Sequence, residues 1–166
     1  MSSSTDRHEL FKGLHAQYYK MVKQLCLGYM KGDTYAAEDI AQEVFINIWN
    51  GLEMFRSDSS YKTWIYRIAL NTCLLHIRNN TKWQPTQELN EVHLEKTPVE
   101  NYNEERFQAL YKAIGALPPV ERLVMMMVLE ELPYEEIGAI TGISQVQLRV
   151  KIHRAKNKLR QLIKQD

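Results

Sequence analysis

The side chains best suited to chemistry in this chain lie near its end. Residues 144–164 hold seven lysines and arginines and no acid. Gln145, Gln147, Arg149, Lys151, His153 and Arg154 can project from a helix whose other side carries Leu148, Ile152, Ala155 and Leu159. Glutamine and arginine at the front of such a helix can make bidentate hydrogen bonds to adenine and guanine edges. A basic cluster on one element is the electrostatic footprint of a nucleic-acid binder. A second group joins a loop, Arg56 to Ser60, to Lys62, Trp64, Tyr66, Arg67 and Arg78. Aromatic and basic groups together can stack on and neutralise unpaired bases, while Trp64 and Tyr66, taken alone, are more often core residues. In a third group, Glu38, Asp39, Gln42 and Glu43 surround Ile46 on the polar face of a helix, a pattern that suits a docking surface.

Catalysis has little support. The chain has no H-E-x-x-H, no glycine-rich phosphate loop and no spacing that pairs cysteine with histidine. No catalytic residue, cofactor or metal is expected. Cys26 and Cys73 fall in two different helices and are expected to stay reduced. Of the five histidines, His15 is expected to pack and His153 to face DNA.

The elements that must position these groups are helices. The chain has 166 residues, 45% of them hydrophobic and 25% charged, with only seven glycines. No apolar run approaches the ~18 residues of a membrane span. Residues 1–8 carry no apolar core of the kind a signal peptide needs, which points to the cytoplasm. Phe11, Leu14, His15, Tyr18, Val22, Leu25 and Tyr29 fall at three- and four-residue steps, so residues 8–30 read as one amphipathic helix. Gly32 and Asp33 break it, and Asp33 or Thr34 can cap a second helix over 34–52. After the loop at 54–60, a third helix over 61–79 buries some combination of Tyr61, Ile65, Ile68, Ala69, Thr72 and Leu75.

The middle of the chain changes character. Residues 81–104 hold two prolines, five glutamates and no sustained period, as a linker does. At a polyproline-like ~3.1 Å per residue, they reach roughly 70 Å. Residues 105–166 return to helical spacing. Phe107, Leu110, Tyr111, Ile114 and Leu117 form a stripe, Val120 to Leu129 is almost wholly apolar, and a short helix from Tyr134 stops at Gly142. Tyr134 to Leu148 has the spacing of a helix-turn-helix. Ile137, Ile140, Ile143 and Leu148 form its apolar joint, Gly138 permits close approach, and Gly142 suits a positive φ. Ser144 with Gln147 fits a capping box at the start of the last helix. The expected fold is all-α: helical domains at 8–80 and 105–166, joined by the linker 81–104, with the helix-turn-helix in the second. Charge follows the same division. The net charge of +1 is the sum of +1 over 1–80, −3 over 81–104 and +3 over 105–166.

The order of motifs resembles a known family. Ala37-Glu-Asp-Ile-Ala-Gln-Glu-Val-Phe-Ile-Asn-Ile-Trp49, Phe55-Arg, and Tyr61-Lys-Thr-Trp-Ile-Tyr-Arg-Ile-Ala-Leu-Asn71 are similar to the N-terminal domain of extracytoplasmic-function (ECF) sigma factors. Leu117-Pro-Pro-Val-Glu-Arg-Leu123, Tyr134-Glu-Glu-Ile-Gly138 and Ile152-His-Arg-Ala-Lys156 are similar to their C-terminal domain. The resemblance implies a dissociable subunit that binds core RNA polymerase and directs it to promoter DNA. It implies that Glu38, Asp39, Gln42, Glu43 and Ile46 engage the polymerase. Arg56, Ser57, Asp58, Ser59 and Ser60, with Lys62, Thr63, Trp64, Arg67, Asn71 and Arg78, would recognise and help open the −10 element. Ser144, Gln145, Gln147, Arg149, Val150, Lys151, His153 and Arg154 would read the −35 element. In this family the acidic linker runs through the polymerase, and an anti-sigma factor commonly covers the same surfaces; this chain names none.

The sequence also departs from the family pattern. Cys73-Leu-Leu-His-Ile-Arg-Asn-Asn80 is less basic than usual, and Gln145-Val-Gln147 and Val150 replace small and hydroxyl residues. Two competing readings are a stand-alone helix-turn-helix regulator with a helical sensor domain, and a protein-binding adaptor. The regulator would bind duplex DNA tightly by itself; the adaptor would bind polymerase without promoter preference.

Overall fold

The structure, a computed structural model, describes residues 3–80 and 102–164, with side chains over 4–76 and 106–164. Among them are seven α-helices: α1 (Ser3–Tyr29), α2 (Thr34–Gly51), α3 (Tyr61–Asn80), α4 (Tyr102–Gly115), α5 (Pro119–Leu129), α6 (Tyr134–Thr141) and α7 (Gln145–Lys164). A single 3₁₀ turn, Leu52–Met54, follows α2. The all-α expectation holds. Helix α1 starts five residues before the apolar stripe suggested, because polar residues at a helix start extend it without needing a buried face. Helix α4 begins at Tyr102, so its first turn falls in the stretch read as linker; residues 81–101 lie outside the described residues.

Local signals set the helix ends. The Asp33 carboxylate accepts a hydrogen bond from the Ala36 N–H (3.1 Å), which caps α2 and leaves Thr34 as its first residue. Pro119 opens α5 and Pro133 precedes α6, where a missing N–H costs nothing.

Helix α1 runs through the middle of the molecule. It packs against α2 and α3 on one side and against α4 and α5 on the other. Leu25, Ile40, Ile48 and Ile65 from the first half, and Ile114, Leu123, Ile137 and Ile152 from the second, belong to one continuous core. Burying each such side chain stabilises the fold by about 1.5–3 kcal/mol before chain entropy is counted. In α3, Ile65, Ala69 and Thr72 are buried and Tyr61 and Ile68 are half-buried. Leu75 is not among those buried and is 53% exposed, because the helix phase sets it to the side of the face that carries Ile65, Ala69 and Cys73. His15 is likewise exposed, although its ring stacks on Tyr19 (5.1 Å) and leans on Phe45 (4.6 Å). Cys26 and Cys73 are free and buried side by side, and their hydrogen bond, with burial second, pushes the Cys73 thiol well up.

The two halves also meet through polar groups. The Arg122 guanidinium of α5 donates to the carbonyls of Leu117 (2.7 Å) and Tyr29 (3.3 Å) and lies 5.9 Å above the Tyr29 ring. Burial lowers its pKa, and the aromatic face of Tyr29 is part of what surrounds the charge. The Tyr29 hydroxyl is buried without a hydrogen-bond partner among the described residues.

Candidate nucleic-acid interface

The helix-turn-helix forms as its turn chemistry dictates. Helix α6 ends at Gly142, whose φ of 76° is open to glycine and strained for other residues. The Ser144 hydroxyl accepts from the Gln147 N–H at 3.3 Å and so caps α7. A Cβ at position 138 would lie 2.7 Å from Gln145 Nε2 and 3.2 Å from the Ile143 carbonyl, so glycine there lets the two helices close. Ile137, Ile140 and Leu148 are buried at the joint, and Ile143 packs at its edge.

Helix α7 divides into two sides. Leu148, Ile152, Ala155 and Leu159 are buried, while Gln147, Arg149, Val150, His153 and Arg154 are exposed. Two residues expected to project outward do not reach freely into solvent. Gln145 turns back, and its Nε2 donates to the Tyr134 carbonyl (3.0 Å), so it fastens α7 to α6. Lys151 is half-buried and pairs with Glu121 of α5 at 3.3 Å. His153 shares a 3.3 Å hydrogen bond with Asn157 one turn on.

On α2, Asp39, Gln42, Glu43 and Ile46 are exposed at positions i, i+3, i+4 and i+7, and therefore share one face. Ile46 is 59% exposed in that acidic surround. Glu38 sits beside them, half-buried and bonded to Lys23 Nζ of α1 (3.2 Å).

Between these helices, Arg56, Ser57 and Asp58 are exposed, Ser59 is half-buried, and Ser57 adopts a left-handed φ of 59°. Ser60 caps α3, its hydroxyl accepting from the Thr63 N–H at 3.1 Å, and Thr63 is buried beneath it. Trp64 closes an aromatic cluster with Phe55 (5.0 Å), which stacks on Tyr61 at 4.4 Å. Asn71 is exposed, and the side chain of Arg78 lies outside those described. Lys62 and Arg67 are already engaged by α6. Arg67 donates through Nε and Nη2 to the Ala139 carbonyl (3.2 and 2.8 Å), and Lys62 lies 3.6 Å from Glu136.

Residues 14–82 match the family model of Sigma-70 region 2, and residues 107–159 match that of Sigma-70, region 4. Over 172 aligned residues the chain is 31% identical to the ECF RNA polymerase sigma-E factor of Escherichia coli (strain K12), covering 93% of this chain and 88% of that protein. The chain belongs to the ECF sigma factors.

It is also 30% identical to the RNA polymerase sigma factor YlaC of Bacillus subtilis (strain 168), covering 89% of this chain and 88% of YlaC. Solved structures that share its fold include two complexes. The sigma factor RpoE of Bartonella quintana, in complex with the anti-sigma factor NepR, superposes with a TM-score of 0.74 at 22% identity, over 94% of this chain and 98% of that one. CnrH in complex with the cytosolic domain of CnrY gives 0.69 at 21% identity, over 96% of this chain and 90% of that one. This sigma factor therefore binds core RNA polymerase and directs promoter-specific initiation. The region 2 match contains the α2 face, the loop and all of α3, and the region 4 match contains the helix-turn-helix.

In the sequence, Val146 of the sigma factor's last helix stands out only as a departure from the family pattern and not among the residues expected to meet DNA. Val146 is 74% exposed on the first turn of α7. The signal was present in the helix phase. At 3.6 residues per turn, about 100° per step, Val146 lies opposite the stripe of Leu148, Ile152, Ala155 and Leu159, whereas Gln145 falls toward it.

Proposed function

We infer that the two halves of this sigma factor divide promoter recognition between them, with 8–80 and 105–166 as its domains. Asp39, Gln42, Glu43 and Ile46 would form the polymerase-facing patch, with Glu38 held in place by Lys23. An apolar side chain ringed by acids offers burial at its centre and charge selectivity at its rim. Arg56, Ser57, Asp58 and Asn71 would meet the −10 element, with Lys62 and Arg67 joining once α6 leaves α3. Ser60 and Thr63 fix the start of α3, and Trp64 fixes the loop through its ring contacts. Gln147, Arg149, Val150, His153 and Arg154 would read the −35 element, and Ser144 and Gln145 set the pose of that helix. Of the two solved neighbours named above, one is a complex with the anti-sigma factor NepR and the other with the cytosolic domain of CnrY, which supports an anti-sigma factor as a partner here. Work with core RNA polymerase supports action in the cytoplasm; among the described residues no helix is long and apolar enough to cross a membrane.

The observation that carries this reading is α7: an acid-free basic helix, capped at Ser144 and seated by Gly142 and Gly138 for major-groove entry. Run-off transcription on genomic fragments, with core polymerase and with or without this chain, tests it. Promoter-dependent transcripts that appear only with the chain are expected. No gain in initiation would refute it, and tight sequence-specific binding by the chain alone would favour a stand-alone regulator.

A further inference from the structure

Val146 and Val150 have no task in the fold. They are 74% and 44% exposed, one turn apart, in a helix that is otherwise basic on its outer side. Valine is a weak helix former, so its presence at two exposed positions is not explained by helix stability. Isolated exposed aliphatic residues are ordinary, but these two occupy a particular place. Val146 points away from the buried stripe, within about 30° of the direction opposite it. Val150 lies about 40° from Val146 around the axis, and His153, Asn157 and Arg149 fall within about 60°. All five are exposed. The outward face of α7 is therefore an apolar pair framed by cations and hydrogen-bonding groups, and it occupies the N-terminal turns that enter a major groove.

A major groove offers one apolar feature on base edges, the C5-methyl group of thymine. We propose that Val146 and Val150 read thymine methyl groups in the −35 element. The proposal rests on the assignment of α7 to that element. Four residues of helix rise about 6 Å, close to two base steps of ~3.4 Å, so the two valines address methyls about two steps apart, on one strand or across the pair. Gln145 cannot share this work while its amide holds the Tyr134 carbonyl. Arg149 and Arg154 flank the valines and are free to bond guanine edges or phosphates on either side.

The test uses the full chain with core polymerase. Promoters with a randomised −35 hexamer are selected for initiation, and the winners are rebuilt with thymine or deoxyuridine, which lacks only the methyl. Losing one buried carbon should lower initiation about fourfold at each methyl that is read. Each of Val146→Ser and Val150→Ser should lower initiation on thymine promoters and remove the sensitivity to deoxyuridine at its own position. Both side chains are exposed, so melting temperatures of the variants should match the parent and exclude misfolding. A selected hexamer without thymine would overturn the proposal. So would indifference of the parent to deoxyuridine, or an equal deoxyuridine effect in parent and both variants. Failure of the underlying assignment looks different: no hexamer in the pool would then support initiation above core enzyme alone.

Discussion

Gly28 is where the join between the two halves can be tested most sharply. It lies in the last turns of α1 and faces Met126 of α5. A Cβ at this position would stand 2.1 Å from Met126 Sδ, 2.4 Å from its Cγ and 3.1 Å from its Cε. Carbon and sulfur atoms pack at roughly 3.5–4 Å, so a single methyl must push the thioether by more than an ångström. Met126 is 3% exposed and has little room to yield, despite its flexible side chain. Gly28→Ala should therefore destabilise the protein by about 1–3 kcal/mol, the usual cost of overpacking. Met126→Ala alone should cost about 2–5 kcal/mol through the cavity it leaves. In the double variant the new methyl enters that cavity, and the combined cost should fall short of the sum by at least ~1 kcal/mol. Urea and thermal unfolding followed by circular dichroism would read these values, at about 2–4 °C per kcal/mol for a chain of this size. Because the contact joins α1 to the second half, Gly28→Ala should also enlarge the hydrodynamic radius while helix content is kept. Additive costs, to within ~0.3–0.5 kcal/mol, would refute the packing of α5 on α1 at this point.

Three further outcomes follow from single groups. Tyr29→Phe removes a buried hydroxyl with no partner and should leave the melting temperature equal or higher at neutral pH, by up to ~1 kcal/mol of stability. Burial, then the neighbouring Cys73, raises the Tyr29 pKa above the usual ~10, partly offset by Arg122. The stabilising contribution of the neutral phenol is thus present below about pH 10 and lost as pH rises beyond it, so a melting series into alkali should decline less steeply for Tyr29→Phe. Gly142→Ala forces a side chain into a φ of 76° and should cost about 1–2 kcal/mol in unfolding experiments, with Gly142→Asn milder. Replacing Arg149 and Arg154 by alanine should flatten the log–log salt dependence of promoter binding by ~0.9 for each arginine that touches a phosphate; an unchanged slope with altered base preference would place them on base edges instead.

Much of this protein follows from its sequence because the determining interactions are local. Apolar residues at three- and four-residue steps specify which side of α2 or α7 is buried, since the period of the helix leaves no other choice. Asp33, Ser144 and Gly142 specify ends, because a cap or a positive φ involves atoms only a few residues apart. The motifs around Glu38, Tyr61 and Tyr134 specified the family, and with it the two classes of partner. Tertiary structure alone decided what each polar side chain does once several partners are within reach. It turned Gln145 onto the Tyr134 carbonyl, tied Lys151 to Glu121, set Arg67 and Lys62 against α6, and made α1 a shared wall of both halves. Each of the polar choices differs from its alternatives by only about 1 kcal/mol, and all but the one at the turn join residues distant in sequence, as the packing of α1 on both halves also does. No local period encodes a choice of that kind: helix phase alone sets Val146 and Val150 opposite the buried stripe of α7, whereas the withdrawal of Gln145 and Lys151 from its outer side appears only when the helices are assembled.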